Sequence, residues 1–187
     1  MTIRLASTIQ TDSIVDGEGI RTVIWTQGCP HKCPNCHNPS THNPNGGFLM
    51  DVDNIKSEIL SLKGQDGITL SGGEPFEQVE AVYEIAVFAK GLGLTVWCYS
   101  GYTFEKLLVM AKENNMYMKA LQAIDVLIDG KFVDTLKSFN LMYRGSSNQR
   151  IINVKESLAK QEAVLIEKYN GQYKVNDLYV KPEHIFV

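Results

Sequence analysis

Three cysteines, Cys29, Cys33 and Cys36, lie within eight residues in the spacing Cys-x3-Cys-x2-Cys. Thiolates at this density are ligands for soft metals, above all iron in iron–sulfur clusters and zinc. Closed sites of either kind use four protein ligands, whereas this segment offers three thiolates. An incomplete set leaves one metal coordination position open to a substrate, which is the arrangement of a reactive site rather than a structural one.

A structural zinc loop is the alternative, because His31, His37 and His42 could each supply a fourth ligand. Against zinc, the spacing is not that of a paired zinc ribbon, and the chain has no second Cys-x2-Cys pair. The remaining cysteine, Cys98, falls inside a strand-like segment and is predicted to be a small core residue. The spacing alone does not distinguish an iron–sulfur cluster from a zinc site.

Size and composition predict one domain, since 187 residues of which 44% are hydrophobic can bury a proper core. The formal net charge is −3 and no block of like charges suggests a nucleic-acid arm. No apolar run approaches the ~18 residues of a membrane span, and the first residues lack a signal-peptide stretch. Since the cysteines are clustered rather than spread as a disulfide framework, we predict a cytoplasmic protein with no membrane or nucleic-acid role.

Hydrophobic patterning predicts strands that alternate with helices. The predicted strands cover residues 3–9, 22–26, 68–70, 94–99, 126–128 and 150–154. Three helices are predicted from apolar residues at helical spacing: one capped by Asp51 or Asp53, one that includes Val79, and one from Thr103. This alternation indicates parallel βαβ units, in which functional residues collect in the loops at the carboxyl ends of the strands.

Four polar segments fall at those ends: the cysteine loop, Gly72-Gly73-Glu74-Pro75, Ser100-Gly101 and Asp129-Gly130-Lys131. Two adjacent glycines let backbone groups approach a ligand closely, and a lysine can bind a carboxylate. Taken singly, each segment is explained as well by a strand-to-helix turn or a surface ion pair. Together they predict a pocket for a small zwitterion beside a metal.

The predicted fold is α/β, an incomplete β/α barrel or strongly curved parallel sheet over residues 1–155. Residues 156–187 are predicted to form a C-terminal extension packed on the same domain. Within it, residues 163–169 and 172–175 flank Asn170-Gly171, a pair favoured in type I′ turns, and this pattern predicts a β-hairpin.

The cysteine motif followed by Gly72-Gly73-Glu74-Pro75 resembles the radical S-adenosylmethionine superfamily. Residues 16–22 (Asp-Gly-Glu-Gly-Ile-Arg-Thr) and 36–39 (Cys-His-Asn-Pro) resemble the activases of glycyl radical enzymes. Within that group, residues 129–133 (Asp-Gly-Lys-Phe-Val) and 144–149 (Arg-Gly-Ser-Ser-Asn-Gln) are similar to activases of the anaerobic (class III) ribonucleoside-triphosphate reductase. The resemblance covers most of the chain.

The resemblance implies a [4Fe–4S] cluster on the three cysteines, with its fourth iron bound by the amino and carboxylate groups of S-adenosylmethionine. One-electron reduction would yield methionine and a 5′-deoxyadenosyl radical, which would take hydrogen from a glycine of the large reductase subunit and leave a glycyl radical. The protein's own task is to position these groups and exclude water. The implied partners are that reductase and an electron donor such as flavodoxin or a reduced thiol or ferredoxin system; a homodimer is also expected.

The resemblance also implies roles within the pocket. The backbone of Gly72-Gly73 would bind the methionine amino group, with Glu74 holding the turn. Lys131 is the candidate for the methionine carboxylate and Ser100 for the ribose. Asp129 is expected to orient the lysine or to hold a nearby cation.

One position departs from the superfamily pattern. An aromatic residue that stacks on adenine often precedes the third cysteine, and this chain has Asn35 there. Backbone contacts from Asn35 through Cys36 to His37, together with the His37 ring, are expected to serve instead. Arg21 and residues 144–149 are expected to shape the pocket mouth or to contact the reductase.

Three other functions stay open at this point: activation of a different glycyl radical enzyme, radical chemistry on a small molecule, and a zinc-binding interaction module without catalysis. The short chain leaves little room for the additional loops that a small-molecule substrate would need. Metal content separates the zinc module from the other two.

Overall fold

Eight strands form one sheet in the computed structural model, which describes residues 1–171. The strands are β1 Thr2–Leu5, β2 Gln10–Ser13, β3 Arg21–Thr26, β4 Phe48–Asp51, β5 Gly67–Gly72, β6 Thr95–Tyr99, β7 Val126–Asp129 and β8 Arg150–Asn153. Their order is β4-β1-β3-β5-β6-β7-β8, with β2 paired to β3. The four central strands β3, β5, β6 and β7 are parallel, and the flanking strands are antiparallel to their neighbours. The predicted α/β class is confirmed.

Six helices accompany the sheet in this part of the chain. They are α1 Val52–Ser61, α2 Val79–Gly91, α3 Phe104–Glu113, α4 Asn115–Ala123, α5 Val154–Lys160 and α6 Glu167–Asn170. Side-chain caps set the starts of the predicted helices: Asp51 accepts from the backbone N–H of Asp53, and Thr103 accepts from that of Lys106. Helix α4 was not predicted, because Asn114 alone separates it from α3.

Alternate strand residues point to opposite faces of the sheet. On one face, buried strand side chains pack with those of α1 to α4, namely Ile24, Ile68, Leu70, Val96, Leu127, Ile152, Ile55, Val82, Ile85, Leu107 and Leu121. The intervening residues Trp97, Ile128 and Ile151 form a smaller cluster with Tyr169. Helices α1 to α4 therefore cover one face, and the second cluster, which includes Tyr169 of α6, lies on the other.

Three predicted elements are wrong in part. The first strand ends at Leu5 rather than at residue 9. Strand β8 is antiparallel to β7, because the connection over residues 130–149 holds only a 3₁₀ turn and no crossover helix. In the predicted hairpin, Glu167–Asn170 is a helical turn and Leu165 makes a single bridge to Ile152. The second arm of that hairpin, residues 172–175, lies outside the described residues.

The longest helix within residues 1–171 is α2 with 13 residues, and none of the helices described there could span a membrane.

Candidate active site at the carboxyl ends of the parallel strands

The cysteine loop begins where the central strand β3 ends, next to the carboxyl end of β5. All three cysteines are partly buried and line one cavity of about 140 Å³. The loops after β5, β6 and β7 supply the other walls, which include Gly72, Gly73, Ser100, Gly130, Lys131 and Phe132. The four polar segments singled out in the sequence thus meet at one place, because the carboxyl ends of parallel strands share one edge of the sheet.

The two glycines let the turn after β5 lie directly against the start of the cysteine loop. A Cβ on Gly72 would lie 2.5 Å from the backbone of Thr26, and one on Gly73 would lie 2.3 Å from the carbonyl oxygen of Gly28. The backbone N–H of Gly73 donates to Thr26 (2.7 Å), and that of Glu74 donates to Gly28 (2.8 Å). The glycine pair is therefore needed first for close packing of two backbones.

Glu74 is fully buried and joins three loops. One carboxylate oxygen accepts from the Ser100 hydroxyl (2.9 Å) and the Phe76 N–H (3.1 Å). The other accepts from the Gly101 N–H (2.7 Å) and lies 2.8 Å from Nε2 of His31. Since His31 stands between the first two cysteines, a single carboxylate ties the cysteine loop to the ends of β5 and β6.

Sequence reasoning missed this role of His31, which it considered only as a zinc ligand. The ring packs edge-to-face on Tyr102, with centroids 4.5 Å apart. A Cβ on Gly101 would lie 2.2 Å from the ring, so the Ser100-Gly101 turn makes room for it. A histidine inside the cysteine motif and a glutamate in the distant turn were the available signals, but nothing in the sequence pairs them.

Asp129 is almost fully buried, and its partner is not Lys131. Its carboxylate accepts hydrogen bonds from Nε (2.9 Å) and Nη2 of Arg150. It also accepts one from the backbone N–H of Phe104 (2.7 Å). Arg150 also binds Glu105 through both carboxylate oxygens. These hydrogen bonds lower the pKa of Glu105 to about 2. The cation held by Asp129 is thus a guanidinium, while Lys131 is exposed at the cavity wall.

The segment around the third cysteine contacts the loop after β7. Asn35 has a left-handed φ of 53°, and its side chain donates to Asp134 (2.7 Å) instead of lining the cavity. The exposed His37 ring lies 4.8 Å from the ring of Phe132. Phe132, which sequence reasoning did not consider, is the aromatic side chain of this loop that lines the cavity.

Arg21 was expected near the pocket mouth, and this is wrong. It is fully buried at the amino end of β3, the end of the sheet remote from the cysteines. Its guanidinium donates to the hydroxyls of Thr69 (2.7 Å) and Thr95 (3.0 Å) and to nearby carbonyls. Burial lowers the pKa of Arg21 to about 10. Arg144, in contrast, does line a cavity of about 470 Å³ that adjoins the first.

The thiol set fits an iron–sulfur cluster. Burial raises the pKa of the Cys29 thiol, while the backbone N–H groups of His31 and Lys32 oppose that shift. The N–H of Asn38 lies 3.4 Å from the Cys36 sulfur. Backbone donors of this kind stabilise thiolate ligands.

Zinc fits less well. In residues 1–171, no three His, Cys, Asp or Glu side chains are arranged to hold a metal ion. A single zinc needs its ligands to converge on one point, whereas a cluster takes each thiolate on a separate iron. Of the three histidines considered as fourth ligands, His31 is engaged by Glu74 and His37 packs on Phe132. Nε2 of His42 is buried without a hydrogen-bond partner among the described residues.

Comparisons with known proteins agree with this donor set. A family model described as a 4Fe-4S single cluster domain matches residues 15–152. Similar proteins from three sources are all named anaerobic ribonucleoside-triphosphate reductase-activating protein. The one from Escherichia coli is 36% identical over 144 residues, 73% of this chain and 90% of that protein.

The protein from Enterobacteria phage T4 is 34% identical over 143 residues, 73% of this chain and 86% of its own length. That from Haemophilus influenzae is 32% identical over 148 residues, 74% of this chain and 90% of its own length. The resemblance inferred from the motifs is thereby confirmed. This chain belongs to the family of anaerobic ribonucleoside-triphosphate reductase-activating proteins, which carry a 4Fe–4S cluster domain.

Proposed function

We propose that this chain is the enzyme that activates an anaerobic ribonucleoside-triphosphate reductase, using S-adenosylmethionine and a [4Fe–4S] cluster held by Cys29, Cys33 and Cys36. The observation that carries the proposal is that three thiols, and no fourth within residues 1–171, share one cavity with the backbone of Gly72 and Gly73 in a chain of this family. When bound, these cofactors supply a 5′-deoxyadenosyl radical that takes a hydrogen atom from a reductase glycine. Every other part of the task is positioning and exclusion of water by the chain's own residues.

The methionine end of S-adenosylmethionine is assigned to the turn after β5 and to Lys131. Gly72 and Gly73 line the cavity with bare backbone, which can accept from the amino group. Lys131 is exposed at the cavity wall and can donate to the carboxylate. Glu74 contributes indirectly, because its four hydrogen-bonding contacts hold the glycine turn against the cysteine loop.

The ribose is assigned to Ser100, whose hydroxyl donates to Glu74 and accepts from the Tyr102 N–H (3.0 Å). A hydroxyl engaged in this way is held in one orientation and offers its remaining lone pair to a ribose hydroxyl. Adenine is assigned to the backbone of Asn35, Cys36 and His37 and to the His37 ring. Phe132 supports this assignment, because it adds an apolar aromatic wall beside that ring.

The reductase glycine is assigned to the adjoining 470 Å³ cavity, whose lining includes Val15, Leu141, Tyr143 and Arg144. The two cavities share lining residues, among them His37 and Phe132, so a glycine loop inserted in one reaches the other.

In this interpretation residues 1–155 form the incomplete barrel of the superfamily, built around the central parallel strands. The extension that follows packs on the same domain, as Asn170 does by bonding the backbone of Ile151. The electron donor and a homodimer stay predictions.

The test is anaerobic reconstitution with iron and sulfide, followed by metal analysis and assay of 5′-deoxyadenosine. The wild-type protein is expected to hold about four irons and, with reductant and reductase, to yield a glycyl radical signal in electron paramagnetic resonance. Cys33→Ala should lose the cluster and all cleavage. Cys98→Ala is the matched control, because Cys98 is buried in the core and does not line the cavity.

A colourless protein with one tightly bound zinc contradicts the proposal, as does a Cys33→Ala variant that still makes 5′-deoxyadenosine. A glycyl radical formed only on a different glycyl radical enzyme would contradict the assigned partner alone.

A further inference from the structure

Cys29 forms part of the wall of two cavities. The first is the active-site cavity, and the second has a volume of about 500 Å³ and lies beside β1 and the edge strand β4. Among the three cysteines, only Cys29 lines both. The second cavity is also lined by residues of β1, the cysteine loop, β4 and the turn after β5.

Hydrogen bonds hold the walls of this second cavity in place. Gln78 pairs with the backbone of Arg4 in both directions, at 2.7 and 2.9 Å, and donates to the carbonyl of Gln27. The Gln27 side chain in turn donates to the carbonyls of Ser40 and Asn43. The shape is therefore set by the fold and needs no partner to form it.

The rim of the second cavity is apolar and carries positive charge. Leu49 is 58% exposed, and Pro30 and Pro44 are exposed beside it. Arg4 and Lys32 supply two cations, and neither forms an ion pair with any side chain in residues 1–171. The one carboxylate in the lining, Glu77, accepts a hydrogen bond from the Tyr102 hydroxyl (2.7 Å). On a chain of net charge −3, such a patch favours an acidic partner.

We infer that this second cavity, with its rim of Arg4, Lys32 and Leu49, is the docking surface for a small acidic one-electron carrier protein. The inference rests on the proposed function, in which S-adenosylmethionine and the reductase glycine occupy the first cavity and its neighbour. The electron must then enter from another side, and Cys29 is the ligand exposed to both. One electron leaves the carrier, which is oxidised by one unit, and the cluster is reduced by one unit; no proton or group is transferred.

The experiment uses the reconstituted protein and reduced flavodoxin as the acidic carrier. Charge reversal by Lys32→Glu is expected to slow bleaching of the cluster's visible absorption on the order of tenfold at low ionic strength, because rim charges act mainly on association. Added salt should shrink this difference. Titration calorimetry with oxidised flavodoxin needs no turnover, and it should show weaker binding to Lys32→Glu than to the wild type. Lys63→Glu is the matched control, since Lys63 is exposed after α1, at the amino end of β5.

A small neutral photoreductant, deazariboflavin, separates docking from the chemistry. It should reduce the cluster, and support cleavage of S-adenosylmethionine, at the same rate in the wild type, Leu49→Glu and Lys63→Glu. Because Lys32 lies inside the cysteine loop, Leu49→Glu on β4 provides a second charge change on the rim that leaves the loop untouched. It should slow reduction by flavodoxin and leave reduction by the photoreductant unchanged.

Equal rates with flavodoxin for Leu49→Glu, Lys32→Glu and Lys63→Glu would overturn the docking surface. It would also be overturned if the rim variants lowered the glycyl radical yield by the same factor with the photoreductant as with flavodoxin. The surface would then belong to the reductase. Failure of the wild type to cleave S-adenosylmethionine with the photoreductant would instead remove the proposed function. The two failures are therefore distinguishable.

Discussion

Arg21 is buried at the amino ends of the parallel strands and Glu74 at the carboxyl ends, and the two charged side chains are used differently. Arg21, at the amino end, is satisfied by groups of the strands themselves, including Thr69 and Thr95. Glu74, at the carboxyl end, is satisfied by two other loops, one of which carries the cysteines, and by the Phe76 N–H of its own turn. A buried charge is costly unless fully hydrogen-bonded, and both are. The difference is that Arg21 consolidates the sheet, whereas Glu74 assembles the site.

The largest effect on stability is expected from Arg21→Met. The change leaves several buried acceptors without a donor, which should lower the free energy of unfolding by roughly 3 kcal/mol or more. Denaturant unfolding of the cluster-free protein measures this. The fraction that remains folded should still bind the cluster and cleave S-adenosylmethionine normally. A site defect larger than the loss of folded protein would contradict the division between the two ends.

Glu74→Gln should impair the site more than it lowers the stability of the fold, the reverse of Arg21→Met. The glutamine amide keeps one acceptor oxygen, and its NH2 group faces donors that the second carboxylate oxygen accepted from. The free energy of unfolding should therefore fall by only about 1–3 kcal/mol. Retention of the cluster against a chelator, and cleavage of S-adenosylmethionine, should each fall by at least about tenfold, since the cysteine loop loses its anchor. Normal cluster retention in this variant would show that the turn and the loop hold together without the carboxylate.

Gly101→Ala tests the His31 part of that anchor alone. A Cβ at this position would lie 2.2 Å from the His31 ring, so the ring must move away from Glu74. We expect a loss of about 1 kcal/mol in stability and a shorter lifetime of the cluster in chelator. Gly91→Ala is the control, because nothing lies within 4 Å of its Cβ position, and it should be neutral or slightly stabilising. Equal cluster lifetimes in the two variants would remove His31 from the anchor.

The Glu105–Arg150 pair shows how much a partly exposed ion pair contributes to stability, in comparison with the two buried charges. The pKa of Glu105 is lowered to about 2, so its stabilising contribution is fully present above its ordinary pKa of 4.5 and is lost as pH falls toward 2. Because the Glu105 side chain is 56% exposed, that contribution should be about 1 kcal/mol or less after solvent screening.

Unfolding of the cluster-free protein between pH 6 and pH 2 measures it, with Glu105→Gln as the comparison. The difference between wild type and variant should be constant above about pH 5 and vanish near pH 2. A difference that grows as pH falls would contradict the assignment of this pair.

Local signals were sufficient for much of the fold. Strands β3, β5, β6 and β7 and the starts of α1 and α3 follow from short apolar runs and from side-chain caps at Asp51 and Thr103. The direction of β8 could not be predicted, because it depends on whether the preceding 20 residues form a crossover helix. Residues 163–171 were also misjudged, since a turn-like Asn-Gly pair also suits the end of a short helix.

By itself, the sequence placed the metal ligands and the side of the sheet on which they lie. Three thiols at a fixed local spacing restrict the site to an iron–sulfur cluster or zinc, the resemblance of the surrounding motifs favours the cluster, and the alternation of strands and helices places the cysteine loop with the other polar turns. Only the tertiary structure decided which buried charges meet. Glu74 joins His31 across 43 positions, and Asp129 joins Arg150 rather than its neighbour Lys131. Such pairings depend on how loops from different strands pack, and nothing in the local sequence specifies that packing.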